Sequence, residues 1–337
     1  MAVFRASRLG DFLCATPAFR SLRAALPEAD ITLIGLPFVH DLVARSPSLD
    51  RFEPFPGYPG IAEQFFVPAD ALHFFTRMQA ERFDLVIQLH GTGVYANPVA
   101  LMLGGGRTAG LIRPGDDLGL LDAAFPMPPT GHHVHRLQAF MAFLGAPPLG
   151  VAYDFPLSLE DRLDADALLA HSPKPLIGIH AGSWEVTKRW PGKRFAAVAL
   201  ALRRRYGGTV VLIGAGNTAS TGDEIESMLG SSCLNLVDRT SLGVLGAVIH
   251  RFTVLITNDS GPAHIAHALR TPSVTVFRAT APEEWGALDS HHHAAVLHDV
   301  DSRPCPHTEC RIGNRCLDGV MPAEVIAAAE RVIERHH

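Results

Sequence analysis

No run of 18 uncharged apolar residues occurs anywhere in the 337-residue chain, so the sequence offers no membrane-spanning helix. The opening Met1-Ala2-Val3-Phe4-Arg5 runs straight into a strand and lacks a secretory pattern, which makes the cytoplasm the default location. Cysteine is scarce. Cys14 and Cys233 stand alone and suit small buried positions, while Cys305, Cys310 and Cys316 crowd into twelve residues. A disulfide framework is not expected in that setting. Positive charge is not in excess either: 29 basic against 34 acidic residues give a net charge of −5, which argues against nucleic acid as the main partner. The basic clusters Lys188-Arg189 to Lys193-Arg194 and Arg203-Arg204-Arg205 are local, the second reading as a solvated helix face. Also missing are the phosphate loop Gly-x4-Gly-Lys-Ser/Thr and the zinc-enzyme spacing His-Glu-x-x-His.

What is present is alternation. Strand-like and helix-like runs follow one another, the pattern of parallel sheets covered by helices on both faces. Strands are expected at 2–7, 31–34 and 85–89 in the first half, with helices at 12–26, near 38–45, 70–81, 97–103 and 134–144. Prolines at 147, 148, 156, 173 and 175 mark the segment 145–175 as linker-like, with one short acidic helix from Leu159 to Ala170. Alternation then restarts, with strands at 176–180, 209–213, 234–237, 253–257 and 273–277. Helices are expected near 192–206, 218–229, 241–250, 262–269 and 322–335. The division is therefore 1–155, a linker at 156–171 and 172–337, with the last helix free to pack back on the first domain. At this length two cores are expected. Two similar α/β halves imply a cleft, the usual place for a ligand.

Four stretches carry chemistry. Asn258-Asp259-Ser260-Gly261-Pro262-Ala263-His264 follows an apolar β-branched run and opens a helix, with Pro262 suited to its first position. Free N–H groups and the positive dipole end there make an anion site, with His264 one turn in. The plain alternative is a helix capped by Asp259 or Ser260. Asp11, after Gly10, ends the first strand and starts the first helix, where it either caps that helix or faces the ligand as a base. Gly182-Ser183-Trp184 with Lys188-Arg189-Trp190-Pro191 follows the first strand of the second half and can hold phosphate through backbone, hydroxyl and ammonium donors. Trp190 reads more simply as core. Gly214-Ala215-Gly216-Asn217-Thr218-Ala219 fits Gly-x-Gly-x-x-Ala, and Asp238 lies 24 residues past Gly214. These glycines follow the second strand of their half, not the first, so a loop beside a nucleotide base is equally compatible.

Cys305, Cys310, Cys316 and His307 could supply four metal ligands, but their spacing departs from paired knuckles, and no metal is expected. The histidine runs His132-His133-His135 and His291-His292-His293 read as surface clusters. Without paired carboxylates or His-Glu-x-x-His they do not make a metal centre.

In order and spacing these segments resemble the heptosyltransferase family of lipopolysaccharide synthesis, glycosyltransferase family 9. The resemblance rests on Leu9-Gly10-Asp11, Thr16-Pro17-Ala18, Leu22-Arg23, Phe83 to Gly91, His180-Ala181-Gly182-Ser183, Lys188-Arg189-Trp190-Pro191, Asn258 to His264, and the tail Arg315-Cys316-Leu317. It implies a GT-B fold, two Rossmann-like doubly wound domains facing across a cleft. The first would hold the acceptor and the second the nucleotide-sugar donor. It further implies inverting, metal-independent transfer with no cofactor, Asp11 as base and Lys188 on phosphate. Gly182, Ser183, Gly214, Asp259, Ser260, Gly261, Pro262, His264 and Thr280 would line the donor site. ADP-heptose is the family's donor, and a lipopolysaccharide-core or similar glycan or glycolipid its acceptor, with peripheral contact at the cytoplasmic face of the inner membrane. One departure stands out: many members carry Gly-Pro-Thr-Asp-Pro where this chain has Arg278-Ala279-Thr280-Ala281-Pro282, so Arg278 adds a phosphate contact or reshapes the donor pocket. Phe52, Phe55, Phe65, Phe66, Phe74 and Phe75 either fill the core or line an acceptor or lipid surface. The alternatives are a nucleotide-sugar epimerase or NAD(P)-dependent oxidoreductase on a similar scaffold, and a non-catalytic nucleotide-sugar-binding protein.

Overall fold

The apolar runs build two separate parallel sheets in a computed structural model of the chain. It describes residues 1–185, 188–216, 219–230, 233–278, 280–301, 303, 305 and 315–336. Met1–Pro156 and Leu157–His337 form two compact units.

In the first unit come β1 (Ala2–Phe4), α1 (Leu9–Ala25), β2 (Thr32–Gly35), a 3-10 turn (Pro37–Val39), α2 (His40–Ala44), β3 (Arg51–Pro54) and α3 (Pro68–Ala80). They are followed by β4 (Leu85–Gln88), α4 (Ala96–Met102), β5 (Arg107–Ile112), β6 (Ala123–Pro126) and α5 (His133–Phe143). Strand order is β3-β2-β1-β4-β5-β6, every pair parallel. The order reverses between β1 and β4, where open sheets of this kind bind ligands beyond the carboxyl ends. Phe4, Phe55, Phe74 and Phe75 sit in the core on one face, with Met78 and Phe83.

The second unit holds α6 (Leu159–Leu169), β7 (Leu176–His180), α7 (Gly192–Tyr206), β8 (Thr209–Leu212), α8 (Ala219–Leu229), β9 (Cys233–Asn235) and α9 (Leu242–His250). It continues with β10 (Val254–Asn258), α10 (Gly261–Leu269), β11 (Ser273–Phe277), α11 (Pro282–Trp285), β12 (His293–Leu297), α12 (Arg315–Asp318) and α13 (Pro322–Glu334). Its order, β12-β11-β10-β7-β8-β9, is the same winding counted from β7, and the switch point lies between β7 and β10.

Two expectations change. The acidic helix α6 is no free linker: Ser158 and Asp161 cap it reciprocally, it packs on α9, and Arg251 forks onto Asp166 at 2.9 and 3.1 Å. The last helix, α13, lies on its own unit against α7 and strands β10, β11 and β12, where Val325, Ala328, Ala329 and Val332 bury its apolar face.

Central β7 is buried at every residue, and Gly178 within it is forced by contact: an added Cβ would stand 2.2 Å from the Phe252 ring. Gly178→Ala should therefore lower unfolding free energy by about 1–3 kcal/mol, the usual cost of overpacking. Urea titration of the two proteins side by side checks this; equal midpoints would show that Phe252 yields freely.

Candidate active site

At the switch point of the second unit, β7 and β10 run side by side with Thr257 opposite His180. Their ends are stitched by one side chain. The Asn258 carboxamide accepts the Trp190 N–H at 3.0 Å and donates to the carbonyls of Ala181 at 2.8 Å and Gly182 at 3.2 Å. Arg189 Nε donates to the Ser183 carbonyl at 2.9 Å, which fixes the other end of the loop. Trp190 is fully buried, edge-on to Phe195, with its indole N–H on the Val320 carbonyl, so it is core.

The Thr257 and Ser260 hydroxyls both donate to the Asn258 carbonyl and both lie near His180 Nδ1, at 3.0 and 3.1 Å. Hydroxyl protons committed in that way leave Nδ1–H of His180 as the donor. Burial, aided by the Arg189 charge, holds this imidazole down at about 4. Ser260 thus occupies the N-cap position of α10 with its hydroxyl turned elsewhere, and no side chain caps the helix. Gly261 takes the first helical position and Pro262 the second, one residue on from the sequence expectation. The helix end keeps its positive dipole without a carboxylate cap, as an anion site requires.

Lys188 Nζ stands 3.9 Å from Asp259 Oδ2 and 3.6 Å from Glu185 Oε1. Asp259 also accepts the Thr280 hydroxyl. Lys188, Asp259, Ser260 and Thr280 are therefore brought together as the sequence expects, with Gly182 and Ser183 held alongside through their carbonyls. His264 is buried and its ring contact runs to His267, 5.5 Å away, and on to His293. Arg278, at the end of β11, is 2% exposed. In the glycine loop, Asp238 accepts the Gly216 N–H at 2.5 Å and donates its own N–H to the Gly214 carbonyl. The acid of the dinucleotide fingerprint is thus spent on its own loop. Of the cysteine-rich segment, Cys316 is buried in α12; Cys310 and His307 lie outside the described residues. Two Asp-x-Asp stretches sit apart from the switch point: Asp166 of Asp164-Ala165-Asp166 engages Arg251, and Asp299-Val300-Asp301 follows β12 at the sheet edge.

In the first unit, Arg8 holds the N-cap position of α1, so Asp11 lies in the first turn and is not the cap. Beside it is a residue the sequence reading did not weigh. Arg5, 2% exposed at the end of β1, donates to the carbonyls of Leu89 and, at 2.8 Å, Asp11, and lies 3.5 Å from Asp11 Oδ1. It also lies 3.1 Å from His133 Nε2, which must accept because a guanidinium only donates. Burial draws its pKa below the ordinary value, opposed by Asp11 first among nearby anions. One buried cation thus joins the ends of β1 and β4 to the starts of α1 and α5. The Asp11 side chain is 36% exposed, with the guanidinium on one side. His90, just past β4, has its imidazole lowered to about 4 by burial and by Arg5, and its Nε2 is 4.0 Å from Glu63. A groove of about 640 Å³ opens at the carboxyl ends of β2 and β3, lined by Phe38, His40, Phe52, Glu53 and Arg77. Phe55, Phe74 and Phe75 are core, Phe66 packs half-buried on Tyr58, and Phe65 is 84% exposed.

The buried histidines set an acid limit on stability. His90, His180 and His293 all titrate at about 4 when folded, against about 6.5 for a free imidazole. Between those values the unfolded chain binds protons that the native state refuses. Stability is therefore full above pH 6.5 and lost as pH falls toward 4, by up to about 1.4 kcal/mol per pH unit for each histidine. Urea unfolding across this range should show the fall, with a shallower slope in His180→Asn; a flat profile from pH 6.5 to 5 would contradict it.

Two doubly wound units of identical strand order, a carboxylate at one switch point and a lysine-flanked open helix end at the other make up a GT-B glycosyltransferase. The profile of glycosyltransferase family 9 (heptosyltransferase) matches residues 71–315, and the chain belongs to that family. It is similar to lipopolysaccharide heptosyltransferase 2 of Salmonella typhimurium (strain LT2), 27% identical over 354 residues that cover 98% of this chain and 95% of that protein. Its match to lipooligosaccharide heptosyltransferase 2 of Campylobacter jejuni, 26% over 176 residues, spans 50% of this chain and about half, 54%, of that protein. Among solved structures, E. coli ADP-heptose lps heptosyltransferase II superposes with a TM-score of 0.79 at 22% identity, covering 99% of this chain and 98% of that one. At that identity the likeness speaks for the fold.

Proposed function

We propose that this glycosyltransferase moves heptose from ADP-heptose to a lipopolysaccharide-core acceptor, with inversion and without a catalytic metal. The observation that carries the reading is the seating of Asp11 in the first unit, and of Lys188, Asp259 and the α10 end in the second, at the carboxyl ends of their sheets' switch strands. The names of the Salmonella relative and the E. coli neighbour supply the acceptor and donor classes.

In this mechanism Asp11 takes the proton of the acceptor hydroxyl as its oxygen bonds the anomeric carbon from the face opposite the leaving group. The bond from that carbon to the diphosphate oxygen breaks, and ADP departs with the electron pair. Lys188 leaves Glu185 and Asp259 for the diphosphate, and the open end of α10 adds backbone dipoles, so charge growing on the leaving group meets fixed positive ends. Asp259, with Thr280, suits the hydroxyls of the donor. The groove, where Arg77 pairs with Glu53 at 3.0 Å and His40 with Asp41 at 3.1 Å, offers polar side chains of both signs to a hydroxyl-rich acceptor. Exposed Phe65 and Leu72, 84% and 69% accessible, suit contact with the acceptor's lipid surface. No helix among the described residues is long and apolar enough to cross a membrane.

Release of ADP from ADP-heptose, measured with and without a heptose-deficient lipopolysaccharide acceptor and with EDTA, tests the reading. Acceptor-dependent release that survives EDTA is expected. Release that EDTA abolishes would remove metal independence, and none from ADP-heptose would remove the donor.

A further inference from the structure

At the amino end of β12, three imidazoles from stretches more than forty residues apart converge. One ligand nitrogen from each of His291, His292 and His336 falls within 4.8 Å of the other two. We propose that these three residues form a binding site for a divalent transition metal of the Zn²⁺, Ni²⁺ and Cu²⁺ class, tying the end of α13 to the turn before β12.

Two of the rings have one nitrogen already partnered. His292 Nδ1 lies 2.6 Å from the Asp289 carboxylate and His336 Nδ1 lies 2.8 Å from the Val332 carbonyl. Both partners are acceptors, so each Nδ1 carries the proton and each Nε2 keeps its lone pair for an ion. A carboxylate or carbonyl behind a ligating imidazole is the arrangement that fixes tautomer and ring angle at metal centres. Asp289 also accepts the His291 N–H at 2.9 Å, and Arg335 donates to the Ser290 carbonyl at 2.8 Å, so turn and helix end are held together apart from any ion. The ring of His336 lies 5.1 Å from that of His291 and 4.4 Å from that of His292.

A tetrahedral ion with bonds of about 2.0–2.1 Å sets its ligands about 3.4 Å apart, so the rings need close by little more than an ångström. His291 is exposed and able to turn. Three neutral nitrogens select borderline metals over calcium or magnesium and leave one position for water. The site precedes β12, at the edge of the sheet opposite the carboxyl ends, so its role is to clip the C-terminal helix and not to take part in transfer. Adjacent histidines alone could not show it, because the third ligand comes from the far end of α13.

Calorimetric titration of the untagged full chain with Zn²⁺ and Co²⁺ tests the assignment. One ion per chain is expected, with a cobalt spectrum free of thiolate charge transfer and a rise in Tm on adding Zn²⁺. His336→Gln and His292→Gln should each weaken binding at least tenfold and remove the rise, while Cys305→Ser with Cys316→Ser should leave both intact. No saturable binding, binding unchanged in both histidine variants, or a thiolate band lost with the cysteines would each overturn the site.

Discussion

Asp11→Asn should lower acceptor-dependent transfer by about 100- to 10,000-fold, the range expected for loss of a positioned general base, and should leave ADP binding within twofold. The carboxamide keeps an acceptor oxygen toward Arg5 and loses only the ability to hold a proton. The fold has little reason to fail, because Arg5 retains the carbonyls of Leu89 and Asp11, and Arg8 still holds the N-cap position. Asp11 is also open enough to meet an acceptor, whereas Arg5 behind it is buried. Initial rates at saturating donor, set beside calorimetric titration with ADP, separate the two effects. Unchanged transfer would remove Asp11 from the chemistry, and equal losses of rate and ADP affinity would make it a binding residue.

The second large effect belongs to Lys188. Lys188→Ala should cost about 100- to 1,000-fold in turnover, as for one preorganised donor to a developing anion. In the free protein the ammonium is shared between Glu185 and Asp259, at 3.6 and 3.9 Å, so it is poised without being locked. A ground-state diphosphate gains modestly from it, while the leaving ADP gains more as the bond breaks. The variant should therefore lose kcat by a larger factor than it loses donor affinity. Lys188→Arg should recover only part, because a planar fork does not reproduce a point charge on this short approach. A change in KM alone would assign Lys188 to uniform binding.

Much of this architecture is legible in the sequence, for reasons tied to burial. Central strands such as β7 and β10 are covered on both faces and read as continuous apolar runs, bounded by Gly, Pro or polar turns. The strands not foreseen are β3, β5, β6 and β12. Three of them are edges: Arg51-Phe52-Glu53-Pro54 and Ala123 to Pro126 are exposed or half-buried, and β12 mixes both. Such strands need no apolar run. β5 follows Gly104-Gly105-Gly106, and Arg107, Thr108 and Gly110 break up its apolar run. Asp259 directly follows β10 and Gly182 stands two residues past β7, as their apolar runs indicate, whereas β1 closes at Phe4 and leaves Asp11 as the third residue of α1. The Arg5–His133 contact and the pairing of His90 with Glu63 were not legible, since each joins elements separated by a crossover. His264 is buried one turn into α10, with its ring 5.5 Å from that of His267.

The donor site proposed for the second unit takes an ADP-sugar. Thermal unfolding of the purified protein with ADP, GDP, UDP, dTDP and NAD at equal concentration tests it most directly. A ligand at about 100 times its Kd adds about 2.7 kcal/mol, so ADP should raise Tm well beyond the others, and Lys188→Ala should blunt the rise. A response to NAD alone, or to UDP, GDP or dTDP in place of ADP, would contradict the donor assigned to Lys188, Asp259 and the open end of α10.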